Sequence, residues 1–266
     1  MSCFSKVATV FCAGLLVAMM TASAVMAADL NKVVIIKADD FRGPSEAWTN
    51  FLQVSRSAGI KVSIGVIVDS IAGKSSISSW MRAQAAHGDV EFWNHGWDHR
   101  QWTTNGQTVS EFQGADLEHQ RDHLARAQAG LKTALGKNVI SFGTPFNGFD
   151  SNTAAVINET PAFRLFFCHN VALAKNLVTS RVAILDIISE SDGTGKPNFE
   201  KFKTAFEKRA PGPVSLQFHP PYFSPTALAE YGKIVNYLRT NDYSIQLPAE
   251  YVNAQTGQRL NETGHP

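Results

Sequence analysis

Two histidines four residues apart, His95 and His99 in "NHGWDH", and two adjacent carboxylates, Asp39 and Asp40 in "KADDF", are the residues of this sequence best suited to chemistry. Two imidazole nitrogens and one carboxylate oxygen can hold a divalent ion such as Zn²⁺ and leave positions open for water and substrate. A second pair at the same spacing, His119 and His123 in "LEHQRDHLAR", competes for that reading. The chain has eight histidines in 266 residues, so chance alone supplies about a quarter of one H-x-x-x-H pair and spacing does not decide.

Position decides, and position depends on the elements that carry each residue. Apolar runs at 33–38, 62–68, 90–95, 139–145, 164–170, 182–188, 214–220 and 243–248 are expected strands, and continuous runs of this kind mark strands buried on both faces. Between them lie helical patterns. One starts near Ser45 and stops at Gly59, one spans 76–87, and one spans 110–135 and closes at Gly136. Another carries Phe199, Phe202 and Phe206, and the last has Ser224 as N-cap with Pro225 at its first position. Seven or eight strands alternating with helices predict a single-domain α/β fold, a distorted (β/α)7–8 barrel of parallel strands. The alternative is an open doubly wound sheet, but no Gly-rich loop follows the first strand.

In such folds reactive groups gather at the C-terminal ends of the strands. Asp39 and Asp40 end the first strand and His95 the third, while Pro145, Phe146 and Asn147 end the fourth. His169 ends the fifth, Asp186 and Glu190 flank the end of the sixth, and His219 ends the seventh. His119 and His123 fall about 200–240° around their helix from Leu117, on the face expected to be solvated. With no carboxylate expected beside them, they are read as surface residues.

Composition narrows the partners. Residues 1–27 have one basic residue, Lys6, then an apolar stretch, then small residues with Val25 and Ala27 at −3 and −1. This is the layout of a secretory signal peptide, and its apolar core is shorter than the roughly 20 residues of a bilayer span. A mature chain of 28–266, secreted or periplasmic and without a stable membrane span, is expected. Losing Lys6 takes the 24 basic residues to 23, equal to the 23 acidic ones. A neutral chain argues against nucleic acid as partner. Of three cysteines only Cys168 remains after cleavage, so stability must come from packing.

The rim motifs resemble those of a known family, the polysaccharide deacetylases of carbohydrate esterase family 4 (the NodB-homology superfamily). "KADDF" is similar to T-F-D-D-G, "NHGWDH" to N-H-[ST]-x-x-H, "FGTPFN" to F-R-P-P-Y-G and "LQFHP" to L-x-x-H. The resemblance implies Asp39 as catalytic base, and Asp40, His95 and His99 as metal ligands. It further implies the Phe146 backbone N–H as oxyanion donor and His219 as general acid. Zn²⁺ is the expected ion, with Co²⁺, Ni²⁺ or Mn²⁺ as alternatives, and an acetylated carbohydrate is the expected substrate.

Gly143 stands where the third motif has Arg, so support for Asp39 is expected from elsewhere, with Arg42 as candidate. The fourth motif, D-x-x-D-W, has no clean counterpart, and Asp186 or Glu190 is expected to replace it. Trp97, Trp102, Asn147 and His169 are the candidate substrate contacts, while Trp93, inside a strand, is expected to pack. The function expected is N- or O-deacetylation. The alternatives are a weakened, glycan-binding protein on the same scaffold and a metal-dependent hydrolase of a non-carbohydrate amide or ester.

Overall fold

Apolar runs and amphipathic segments alternate through the computed structural model, which describes residues 30–169, 177 and 182–256, with the side chains of Val182, Asp186, Ile188 and Thr256 outside that description. The expected signal peptide therefore lies outside the described residues. In chain order the elements are β1 (Val33–Phe41), α1 (Glu46–Ser57), β2 (Val62–Val66), α2 (Ser75–Ala86) and β3 (Val90–Asn94). Then come β4 (Gln101–Thr104), β5 (Gln107–Ser110), α3 (Leu117–Leu135), β6 (Ser141–Gly143), α4 (Ser151–Asn158) and β7 (Leu165–Cys168). The series ends with β8 (Val182–Ile188), α5 (Phe199–Glu207), β9 (Val214–Phe218), α6 (Pro225–Thr240), β10 (Ser244–Ile245) and α7 (Pro248–Thr256).

Among the described residues, seven parallel strands run in the order β1-β2-β3-β6-β7-β8-β9 and close because β9 pairs with β1, Val214–Phe218 against Val34–Ala38. That pairing excludes the open sheet. β10 adds two further pairs to the start of β1. Strand alternation sends Val34, Ile36 and Ala38 outward, where they join the helices' core cluster. Val33 and Ile35 point inward onto Trp93, Leu165, Phe167 and Ile184, and Tyr251 and Val252 of α7 join that inner cluster. Trp93 is fully buried and fits only beside glycines: a Cβ at Gly65 would lie 2.3 Å from its ring, and one at Gly143 2.9 Å.

The end of β1 departs from regular pleating. Ala38 pairs with Ile64 and Phe41 with Val66, so β1 has one residue too many over that step, and Asp40 adopts φ 69°. This bulge re-aims a side chain: Phe41 returns to the outer cluster, while Asp39 and Asp40, neighbours in sequence, both meet His95.

Four elements were absent from the sequence expectations. β4 and β5 form an antiparallel hairpin turning at Asn105-Gly106, both with positive φ, as a two-residue primed turn requires. α4, capped by Asp150, and α7 are the others. The helix expected over 110–135 begins at Leu117, where Asp116 accepts the His119 N–H, because the hairpin occupies the residues before it. Among the described residues no helix is long and apolar enough to cross a membrane.

Candidate functional site

His95 is delivered by β3, and its Nδ1 donates to the Gly143 carbonyl of β6 at 2.8 Å. That bond fixes the tautomer and leaves the Nε2 lone pair free. Nε2 lies 3.5 Å from Asp40 Oδ1, and His99 Nε2 lies 3.2 Å from the same oxygen. Asp40 Oδ1 is buried and makes no hydrogen bond among the described residues. Ligand atoms of Asp40, His95 and His99 all fall within 4.8 Å of one another, a group able to hold a metal ion. His99 is pushed down to about 4, by desolvation first and the neighbouring His95 second, so it is a neutral imidazole at neutral pH, as a ligand must be. Desolvation works to raise Asp40, but the two histidines outweigh it and hold the carboxyl well below the usual range.

The loop between the histidines is clamped from both sides. Asn94 Oδ1 accepts the Gly96 N–H at 2.9 Å, and Gly96, at φ 83°, has Glu111 Oε2 where a Cβ would go, at 2.7 Å. Glu111, fully buried, accepts the Trp97 N–H at Oε1 and the His99 N–H at Oε2. His123 Nδ1 donates to Glu111 Oε1 at 3.1 Å. The expectation that His123 sits on a solvated face without a carboxylate is therefore wrong. The hairpin folds back over α3 and brings Glu111 onto that face, leaving His123 buried and stacked on His119 with centroids 4.0 Å apart. Asp98, Glu111 and His123 are close enough to resemble a metal group, but both Glu111 oxygens already accept backbone N–H donors. The bonds from Trp97 and His99 make it a brace for the loop between His95 and His99.

Asp39 is fully buried. Its Oδ2 receives two donors, Lys37 Nζ at 2.7 Å and Gln217 Nε2 at 2.7 Å, while Oδ1 has no hydrogen-bond partner among the described residues. Desolvation works to raise this carboxyl, and Lys37, His95 and His219 together bring it below its ordinary value. The expected support from Arg42 is corrected: that side chain is half exposed and stands 3.9 Å from Asp69, because the bulge turns the chain outward before it. Gln217 also joins Asn147 (Nδ2 to Oε1, 3.2 Å) and His169, whose Nε2 lies 3.0 Å from its Oε1. Asn147 and His169 thus reach Asp39 through Gln217.

His219, at the end of β9, is gripped by Glu190. Oε1 accepts its backbone N–H at 2.6 Å, and Oε2 accepts Nδ1–H at 2.7 Å. Burial works to lower this imidazole, yet Glu190 and the charges of Asp39 and Asp40 raise it above its ordinary value. Of the two residues expected to replace the fourth motif, Glu190 makes this contact; the side chain of Asp186 lies outside the described residues.

At the mouth, Phe146 is 43% and Tyr222 59% exposed. Phe146 and Asn147 both have positive φ; four of the six described non-glycine residues in that region (Asp40, His99, Phe146, Asn147) thus belong to the site, where strain is typically stored. The Phe146 ring lies 4.2 Å from that of His99, and its N–H has no hydrogen-bond partner among the described residues. Trp102 is exposed on the hairpin, 5.3 Å from the His119 ring. Trp97 packs against the core with the Arg126 guanidinium 4.1 Å over its ring.

Lys37, Gln217, Glu111 and Tyr222 escaped the sequence reading. The first two carried a signal: each is a polar residue in a buried strand two positions before a site residue, hence on the same face.

The family model described as polysaccharide deacetylase matches residues 28–162. Among solved structures, the fold is similar to the Xyl-CE4 domain of a multidomain xylanase from the hindgut metagenome of Trinervitermes trinervoides, at 15% identity and TM-score 0.60, covering 85% of this chain and 91% of that one. It is similar to a family 4 acetyl xylan esterase from Clostridium thermocellum in complex with a cobalt ion, at 14% identity and TM-score 0.60, covering 85% and 92%. A CE4 family pseudoenzyme from Bacillus anthracis matches at 12% identity and TM-score 0.59, covering 84% of this chain and 66% of that one, so the chain spans about two thirds of that relative. A comparison with curated proteins finds no match. At these identities the likeness carries the fold, and chemistry has to be argued from the site.

Proposed function

The chain belongs to the polysaccharide deacetylase family as a divergent member, and on that premise we propose that it is a secreted or periplasmic metal-dependent hydrolase removing acetyl groups from a carbohydrate polymer. One observation carries the metal: Asp40 Oδ1, buried and without a hydrogen bond among the described residues, faces two imidazole Nε2 atoms. Lone pairs converging in a buried place are costly unless a cation lies between them, so Asp40, His95 and His99 fit a divalent ion. Zn²⁺ suits two nitrogens and one oxygen, and the likeness to an esterase holding cobalt agrees with such chemistry. When bound, the ion supplies Lewis acidity toward the acetyl carbonyl and toward water.

The chain's own residues divide the remaining work. Asp39 takes the proton of the attacking water at Oδ1, since Oδ2 is occupied by Lys37 and Gln217. The Phe146 N–H donates to the oxyanion of the acetyl carbon. His219, with Nδ1 bonded to Glu190, gives its Nε2 proton to the departing amine or alkoxide. Phe146 and Tyr222, exposed at the mouth, and Trp102, exposed on the hairpin, offer flat surfaces to sugar rings.

A glycan-binding protein without catalysis is the second reading, favoured by Gly143 in place of Arg and by the likeness to a pseudoenzyme. The paired base and acid, each with its own buried partner, weigh against it. Acetate release from chitin oligomers, peptidoglycan, acetylxylan and acetylated exopolysaccharide, with zinc and after chelation, tests the proposal. Release from one substrate that stops on chelation supports deacetylation. Sugar binding without any release supports the second reading.

A further inference from the structure

Lys37 is 1% exposed, and lysine is almost never buried so completely unless paired. Its place follows from β1. Two residues before Asp39 it projects from the same face into the barrel, below the carboxylate, with Nζ 2.7 Å from Oδ2. The rings of Trp93 and Phe167 lie 5.1 and 5.8 Å from the ammonium and favour the cation where water is excluded. Among the described residues, Lys37 is the one lysine or arginine paired with Asp39.

Trp93 also explains why the cation comes from β1. Its ring fills the space in front of β6: a Cβ at Gly143 would stand 2.9 Å from Trp93 and 3.3 Å from Phe167, so no long side chain fits there. The same ring lies over Lys37. Gln217 supplies a second donor from β9 to the same oxygen, Oδ2, and is itself held by Asn147 and His169. Two donors from two strands converge on one carboxylate oxygen, and among the described residues the other has no hydrogen-bond partner.

We propose that Lys37 is the positioning residue of Asp39, its ammonium acting with the Gln217 amide to pin Oδ2 so that Oδ1 is kept as the reactive oxygen. The proposal rests on the reading of Asp39 as the base. In structural terms, the charge that orients the base is transposed from β6 to β1, and this chain's departure from the family motif at Gly143 is made good within the first motif itself.

The test uses the full chain loaded with zinc. Lys37→Met should retain one equivalent of zinc while kcat falls about 10- to 100-fold, the range for outer-shell partners, with KM changed less than about threefold. Lys37→Arg should keep a larger part of kcat than Lys37→Met. In an Asp39→Asn background Lys37→Met should cost no further activity, because the group it positions is gone. Full kcat in Lys37→Met would overturn the proposal, as would an equal loss with and without Asp39. Lys37→Gln, which keeps a donor and most of the volume, is the second variant should the methionine not fold; wild-type kcat there would count against the charge. If the wild-type chain releases no acetate, the deacetylase reading fails separately. Crystal structures of the zinc-loaded wild type and Lys37→Met then decide: an Asp39 carboxylate rotated in the variant supports positioning, and an unmoved one contradicts it.

Discussion

Glu190 Oε2 lies 2.7 Å from His219 Nδ1, and its other oxygen accepts the His219 backbone N–H. A carboxylate that grips ring and backbone together sets both the orientation of the imidazole and the proton it can give away. The raised value of His219 keeps it protonated to higher pH, as a general acid requires. Glu190→Gln removes a negative charge, so the alkaline limb of the kcat profile should move to lower pH, with a larger loss at pH 8 than at pH 6. An alkaline limb left in place would show that another group is the acid. Circular dichroism should show an unchanged fold, although Glu190 also accepts the Gly195 N–H.

Glu111 predicts an effect on metal binding from a residue that touches no metal. Glu111→Ala leaves the N–H groups of Trp97 and His99 without their acceptor, a cost of about 1–3 kcal/mol for each buried group. The loop carrying His99 should loosen, and zinc affinity should fall roughly 10- to 100-fold. His123→Ala, which removes one donor to Glu111, should have a smaller effect in the same direction. Competition titration with a zinc chelator measures both; a wild-type affinity in Glu111→Ala would reduce the brace to packing.

Far from the site, Glu91 on β3 accepts the Ala249 N–H at 2.9 Å and is raised from 4.5 to about 7, with desolvation the leading cause. The folded chain therefore holds a proton between about pH 4.5 and 7 that the unfolded chain has released. Stability from this group is fully present below that window and is lost as pH rises through it. Glu91→Gln should melt higher than the wild type at pH 8 and much closer to it at pH 5. Equal differences at both pH values would refute the assignment.

Much of this was legible in the sequence because burial on both faces leaves unbroken apolar runs, and such runs gave the strands, the barrel and the rim. His95, His99 and Asp40 come together because each ends or follows a strand of one barrel. What escaped had physical reasons. The Asn105-Gly106 turn was a readable hairpin signal, and overlooking it hid the cover over His123. Glu111 works through backbone N–H groups of a loop, which leave no mark on residue types. Lys37 was visible as a charge inside an apolar strand two positions before Asp39, yet only the distance to Oδ2 distinguishes it from Arg42.

In the proposed hydrolase, Asp40, His95 and His99 hold the metal while Asp39 does the proton work beside it. The most direct measurement is zinc content by elemental analysis alongside acetate release, for the wild type, Asp40→Ala, His95→Ala and Asp39→Asn. One zinc per wild-type chain, loss of that zinc in the first two variants, and an Asp39→Asn protein that keeps its zinc but retains only a small residual rate of acetate release is the predicted result. Full zinc in His95→Ala, or full acetate release by Asp39→Asn, would contradict it.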